Sequence, residues 1–175
     1  MSEDPRYPIG KFAGVVEQTP SLREASIASI AALPQTLHAA VAGLTDAQLD
    51  TPYRDGGWTV RQLVHHVADS HTNAYVRTRE TLTRDWPPVA AYDENLWAKL
   101  ADAHTMPLEP SLSMLEGLHQ RWAALFRSLS KDQWQRGYVH SEGGPCNLIW
   151  VLQCYEWHGK HHTAHVTELR KRMGW

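Results

Sequence analysis

Between Trp157 and His165 the chain reads Trp-His-Gly-Lys-His-His-Thr-Ala-His, which places four of its 11 histidines within nine residues. On a helix, His158 and His162 stand one turn apart on the same face and can grip a single metal ion together. A lone His-x-x-x-His is weak evidence, because a histidine-rich chain produces such pairs by chance. The position of the pair strengthens it. Stepping about 100° per residue from Leu148, an apolar stripe runs through Leu148, Val151, Leu152, Tyr155, Val166, Leu169 and Met173. His158 and His162 fall inside that stripe, His161 points the other way, and His165 lies at its edge. Two imidazoles side by side in an apolar stripe need partners for their ring nitrogens, and if both were charged they would repel. A shared divalent metal meets both needs; the plain alternative is a pair of core histidines satisfied by their neighbours.

A second cluster, His65, His66 and His71, sits where Thr59 with Gln62 forms a capping box for a helix reaching about Arg84. Its apolar stripe is Val60, Leu63, Val64, Val67, Ala74, Tyr75 and Leu82. His71 lies within the stripe, His66 at its margin near Leu63 and Ser70, and His65 on the opposite side. Spacing leaves His66 and His71 equal as sources of a third ligand.

The remaining elements must bring these two helices together. Thr19-Pro20 starts a first helix, with Thr as N-cap and Pro at the first helical position, that runs to about Ala42 before Gly43. Leu22, Ile27, Ile30, Leu33, Leu37 and Val41 form its apolar side, and Pro34 inside it removes a backbone hydrogen bond and predicts a kink or break. Thr45 to Gln48 is a capping box for a short helix ended by Pro52. From Asp85 to Glu109 the chain is irregular around Trp86-Pro87-Pro88, with a short amphipathic piece from Asp93 to Leu100. A connection this long can cross over and leave the second and third long helices parallel. The third runs from about Pro110 to Leu129, with Leu112, Leu115, Leu118, Trp122, Leu125 and Phe126 inward. Gly137 to Pro145 reads as a short extended segment and a turn. Asn147 caps the fourth helix, which runs to Met173 with Gly174 just past its end. Four long helices without repeats make an all-α four-helix bundle, an architecture that builds metal sites from side chains on facing helices.

Composition excludes other classes. A length of 175 residues fits one domain spanning 1–175, with an irregular arm over residues 1–18. A net charge of -2 leaves no basic footprint for nucleic acid, and Arg170-Lys171-Arg172 is placed to meet a helix dipole. No signal peptide and no transmembrane run is expected, and Cys146 and Cys154 match no disulfide or zinc-cysteine framework, so a cytoplasmic protein is the expectation. Trp86 and Trp97 can line a substrate pocket or a homodimer contact.

Several motifs then carry a resemblance: Tyr7-Pro8-Ile9-Gly10; Thr51-Pro52-Tyr53-Arg54 followed by Gly57-Trp58-Thr59-Val60-Arg61-Gln62; His65-His66-Val67-Ala68-Asp69-Ser70-His71; and Trp157-His158-Gly159-Lys160-His161-His162. In order and spacing the chain resembles the DinB/YfiT-like superfamily, in its YfiT branch of metal-dependent hydrolases and bacillithiol transferases. The resemblance implies an up-down-down-up bundle and a divalent metal, zinc or nickel, held by His66, His158 and His162. His71 then becomes a pocket or supporting group, with Trp58, Ser70 and Asn73 as further pocket candidates. No catalytic base is assigned. Three imidazoles leave coordination positions open, as at catalytic sites.

Two chemistries follow. A metal can activate water for hydrolysis, or deprotonate a thiol and present the thiolate to an electrophile. The resemblance favours the second, with a low-molecular-weight thiol such as bacillithiol and an electrophilic small molecule as substrates. The sequence leans the same way, because Gly159 follows His158 where a His-Glu-x-x-His enzyme carries its general base. A non-enzymatic bundle with a structural or metal-binding histidine cluster is the third reading.

Overall fold

A computed structural model describes residues 4–14, 17 and 19–175. Its elements are α1 (Pro20–Val41), α2 (Asp46–Leu49), α3 (Val60–Thr83), β1 (Pro88–Val89), α4 (Glu94–Trp97), α5 (Ala101–Thr105), α6 (Glu109–Arg127), β2 (Gly137–His140), β3 (Gly144–Asn147) and α7 (Leu148–Met173), with a 3-10 turn at Gln133–Gln135. The caps fall where the sequence places them. Thr19, Thr45, Thr59 and Asn147 each accept a backbone N–H of the first turn that follows, Thr45 and Thr59 as full capping boxes, and Gly174 closes α7 in the left-handed conformation.

Long-range contacts fix the direction of the four long helices. His65 meets Ser111, His71 meets His119 and the Trp122 indole N–H donates to Thr78, so α3 and α6 run parallel. Leu33 lies against Gly159 and the Ala40 carbonyl accepts from Arg170, so α1 and α7 are also parallel. Ion pairing of Glu24 with Arg127, and contact of Ile30 with His119, make α1 antiparallel to α6. The result is an up-down-down-up four-helix bundle. The segment after α3 makes this possible: β1 pairs in parallel with β2, which pairs with β3, so the crossover is tied down at one end of the bundle.

The core has two parts along the bundle. One centres on Leu37, Leu63, Val64, Val67, Leu115 and Val166, the other on Ile30, Trp122, Phe126, Leu148 and Leu152. Emptying any of these, as in Leu63→Ala, costs about 2–5 kcal/mol. The histidine clusters lie between the two halves.

Three expectations are corrected and one is extended. Leu22 is half exposed, off the face that Ile27, Ile30, Leu33 and Leu37 bury. Pro34 leaves α1 unbroken; only its N–H is missing, and the carbonyl it deprives finds another donor. The extended segment at Gly137–His140 and the turn after it are as expected, and a second strand, Gly144–Asn147, completes a hairpin. His161 does face away from the triad, but it and His165 are both buried. The N-terminal arm explains His161: Tyr7 approaches its ring, the Gly10 carbonyl accepts the Trp157 indole N–H, and Phe12 packs edge-on to Trp150. Residues 1–3, 15, 16 and 18 of that predicted arm lie outside the described residues. Among the described residues no helix is long and apolar enough to cross a membrane.

Candidate metal centre

Helices α3 and α7 run antiparallel and place His66 opposite His158 and His162. The Nε2 atoms of His66 and His158 are 3.4 Å apart, and those of His158 and His162 are 3.2 Å apart. One nitrogen from each of the three rings lies within 4.8 Å of the others, the one such His, Cys, Asp or Glu group among the described residues. Tetrahedral zinc with bonds of about 2.0–2.1 Å holds its ligand nitrogens about 3.3–3.4 Å apart, close to the two separations from His158 Nε2. The donor chemistry agrees, since three neutral imidazoles suit zinc or nickel alike.

Burial keeps the rings neutral. It lowers the His66 pKa to about 4 and moves His158 and His162 well below the ordinary histidine value, with the neighbouring rings adding to the depression for the last two. Neutral imidazole is the ligand form. The His162 Nδ1 is buried and makes no hydrogen bond among the described residues. Trp58 packs on the His66 ring with centroids 4.6 Å apart, so this tryptophan both closes the start of α3 and holds a ring of the triad.

The three rings form part of the wall of a cavity of about 490 Å³, within the range of small-molecule sites. Trp58 and Ser70 line it, as the sequence suggests. Ser70 lies within hydrogen-bonding reach of the Tyr92 and Tyr155 hydroxyls. His71 does not line it: fully buried, it stands behind the triad with its Nε2 3.0 Å from His158 Nδ1. Asn73 lies on the His66 side of α3 but does not line the cavity either, because its amide donates back to the Asp69 carbonyl. Asp69 is raised to about 6 by burial and then by Asp102, yet it too lies off the cavity.

Sequence reasoning missed the rest of the wall. Arg77 follows His66 by 11 residues, close to the same helical face, so the period of α3 could have revealed it. Arg54, Tyr92, Glu94, His140 and Glu142 arrive from loops and short elements, where no periodic signal exists. His119 is fully buried on the stripe Leu112, Leu115, His119, Trp122, Phe126, and that spacing was legible.

His161 and His165 form a separate pair, their Nε2 atoms 3.0 Å apart, between Trp157 stacked on one and Tyr53 against the other. Two rings without a third ligand make no comparable group.

A family model described as "DinB superfamily" matches residues 9–166. The chain belongs to the DinB superfamily. It is 51% identical over 171 residues to a Geobacillus thermodenitrificans protein named "Putative metal-dependent hydrolase", covering 97% of this chain and 96% of that one. A Bacillus subtilis relative, "Putative metal-dependent hydrolase YfiT", is 45% identical, again covering 97% and 96%. The solved structure of YfiT from Bacillus subtilis, described as "a probable metal-dependent hydrolase with an unusual four-helix bundle topology", superposes with a TM-score of 0.95 over 98% of each chain. TT2238, "a four-helix bundle protein", shares the fold at 17% identity, with a TM-score of 0.56 over 87% of this chain and 99% of that one.

Proposed function

We propose that this member of the DinB superfamily is a metal-dependent enzyme whose zinc or nickel ion is held by His66, His158 and His162, and that it transfers a low-molecular-weight, bacillithiol-like thiol onto electrophilic small molecules. The observation that carries the reading is the convergence of three neutral imidazole nitrogens on an open polar cavity with no carboxylate hydrogen-bonded to any of them among the described residues. When bound, a divalent cation there supplies Lewis acidity, which lowers the pKa of a thiol or a water brought to its open coordination positions.

The chain's own groups do the rest. Arg54 and Arg77 on the wall favour a thiol that carries carboxylates, Arg77 being held in place by its bond to the Ala90 carbonyl. Trp58 and the bundle walls exclude water from one side of the triad. Gly159, at the position after His158, faces Leu33 of α1 and not the cavity, so that position offers no general base. A thiol that ionises near neutral pH needs such a base less than water does.

The test is conjugation of bacillithiol or another small thiol to an activated aryl chloride by zinc- or nickel-loaded protein: a C–S bond forms, chloride leaves, and the thiol proton passes to solvent. Metal-dependent acceleration supports transfer, and none with any small thiol would rule it out. A hydrolase is the second reading, favoured by the names of the relatives and by Glu94 and Glu142 on the cavity wall. Ester or amide cleavage independent of thiol identifies it.

A further inference from the structure

Behind the triad a line of groups leads from His158 into the core. His158 Nδ1 is 3.0 Å from His71 Nε2, His71 Nδ1 is 3.0 Å from His119 Nε2, and His119 Nδ1 is 2.6 Å from the Ile30 carbonyl oxygen. His71 and His119 are fully buried, and their rings stack at 4.9 Å.

The sequence of α1 opens the far end. An Ile30 carbonyl inside a helix would accept from the N–H four residues on, but that residue is Pro34, which has none. The carbonyl is left free and His119 fills it. A carbonyl only accepts, so His119 carries its proton on Nδ1. Both rings are fully buried, and among the described residues their partners are imidazoles and a carbonyl with no carboxylate to offset a charge, so each ring holds a single proton. His119 Nε2 is therefore a bare lone pair and accepts from His71 Nδ1–H. By the same step His71 Nε2 accepts from His158 Nδ1–H. What remains on His158 is a lone pair at Nε2, the atom that faces His66 and His162.

We infer that Pro34, the Ile30 carbonyl, His119 and His71 form a one-way hydrogen-bond chain that fixes His158 as its Nδ1–H tautomer and aims its Nε2 lone pair at the metal. His71 and His119 are positioning residues. The chain is not a proton exit, because it ends on a carbonyl that has no proton to give and reaches no solvent. It works by setting polarity: without His119, the buried His71 Nδ1–H loses its acceptor, and moving that proton to Nε2 would drive the His158 proton onto the nitrogen that must coordinate. Outer partners of this kind commonly affect metal affinity by 10–100-fold.

The inference rests on the metal-centre reading, and two readouts separate them. Long-range proton–nitrogen spectra of metal-free, 15N-histidine-labelled protein report the tautomers directly. His119, His71 and His158 should all carry hydrogen on Nδ1, and His119→Leu should shift His158 toward the Nε2–H form. Zinc titration against a chromophoric chelator gives affinity: His71→Leu should bind about 10–100-fold more weakly and His119→Leu about tenfold. His71→Gln, whose amide oxygen can accept from His158, should stay within about threefold of the parent chain. A proton on His158 Nε2 in the parent protein overturns the inference, as does a folded His71→Leu variant that binds zinc like the parent. If the parent binds no zinc, the metal reading fails and the tautomer spectrum alone decides the chain of hydrogen bonds.

Discussion

Gly159 lies so close to Leu33 that a Cβ built at position 159 would come within 2.7 Å of Leu33 Cδ2 and 3.2 Å of its Cγ. This contact sets the spacing of α1 and α7 next to His158. Gly159→Ala gains up to about 1 kcal/mol of helix propensity, but overpacking a buried leucine costs roughly 1–3 kcal/mol. The expected outcome is net destabilisation of about 1 kcal/mol, a fall in Tm of about 2–4 °C, with zinc affinity weakened as His158 shifts. Calorimetry of Gly159→Ala, Leu33→Ala and the double variant checks it. The double should be less destabilised than the sum, because the small side chain at 33 makes room for the new methyl. Strict additivity would count against the contact.

Metal content should follow the triad. His66→Ala, His158→Ala and His162→Ala should each lose stoichiometric zinc or nickel by elemental analysis, whereas His65→Ala and His161→Ala should keep it. His65 spends its ring on Ser111 and the Met106 carbonyl, and His161 faces His165. Saturating metal should also raise the Tm of the parent chain, since free metal at 100 times Kd adds about 2.7 kcal/mol. Loss of metal from His161→Ala while His66→Ala retains it would move the site to the other face of α7.

Much of this arrangement was readable in the sequence. The caps at Thr59 and Asn147 and the stripes of α3 and α7 give the two helices that carry the histidine triad, and the His158 and His162 spacing puts their rings on one face. The choice between His66 and His71 was not readable from periodicity, because both lie near the same stripe and only the packing of α3 on α7 and α6 turns one toward the cavity and the other toward His119. Burial of His161 escaped because the covering arm has no periodic pattern. Pro34 was read correctly as removing a hydrogen bond, but its consequence depends on a residue of another helix, His119.

Stability should fall on acidification. Burial holds the folded pKa of His119 and His161 at about 4 and of His165 at about 3, against 6.5 for an ordinary histidine. Between those values the unfolded chain binds more protons than the folded one, so stability is fully present above about pH 6.5 and declines as pH drops toward the folded values. Each such group contributes a slope of about 1.4 kcal/mol per pH unit. Metal-free protein should show a level Tm above pH 7 and a steep decline between pH 6 and pH 4. A level Tm down to pH 4 would mean these rings are not buried neutral.

The cavity arginines should act on binding. Arg54 and Arg77 stand on the wall of the triad's cavity, and a hydrogen bond to a charged group contributes about 1.5–3 kcal/mol, or roughly 10–100-fold in affinity. Arg54→Gln should therefore raise KM for a thiol bearing carboxylates by about tenfold or more while changing kcat less, since the interaction is with a part of the substrate remote from the sulfur. Arg77→Gln is the harder variant to read, because its guanidinium also donates to the Ala90 carbonyl and its loss loosens the segment that carries Tyr92. Cysteamine, a thiol without a carboxylate, separates the two effects. If Arg54 recognises a carboxylate, turnover of cysteamine should be unchanged in Arg54→Gln. An equal loss for both thiols would place Arg54 in the framework of the loop before α3 and leave the anionic end of the substrate without a partner there.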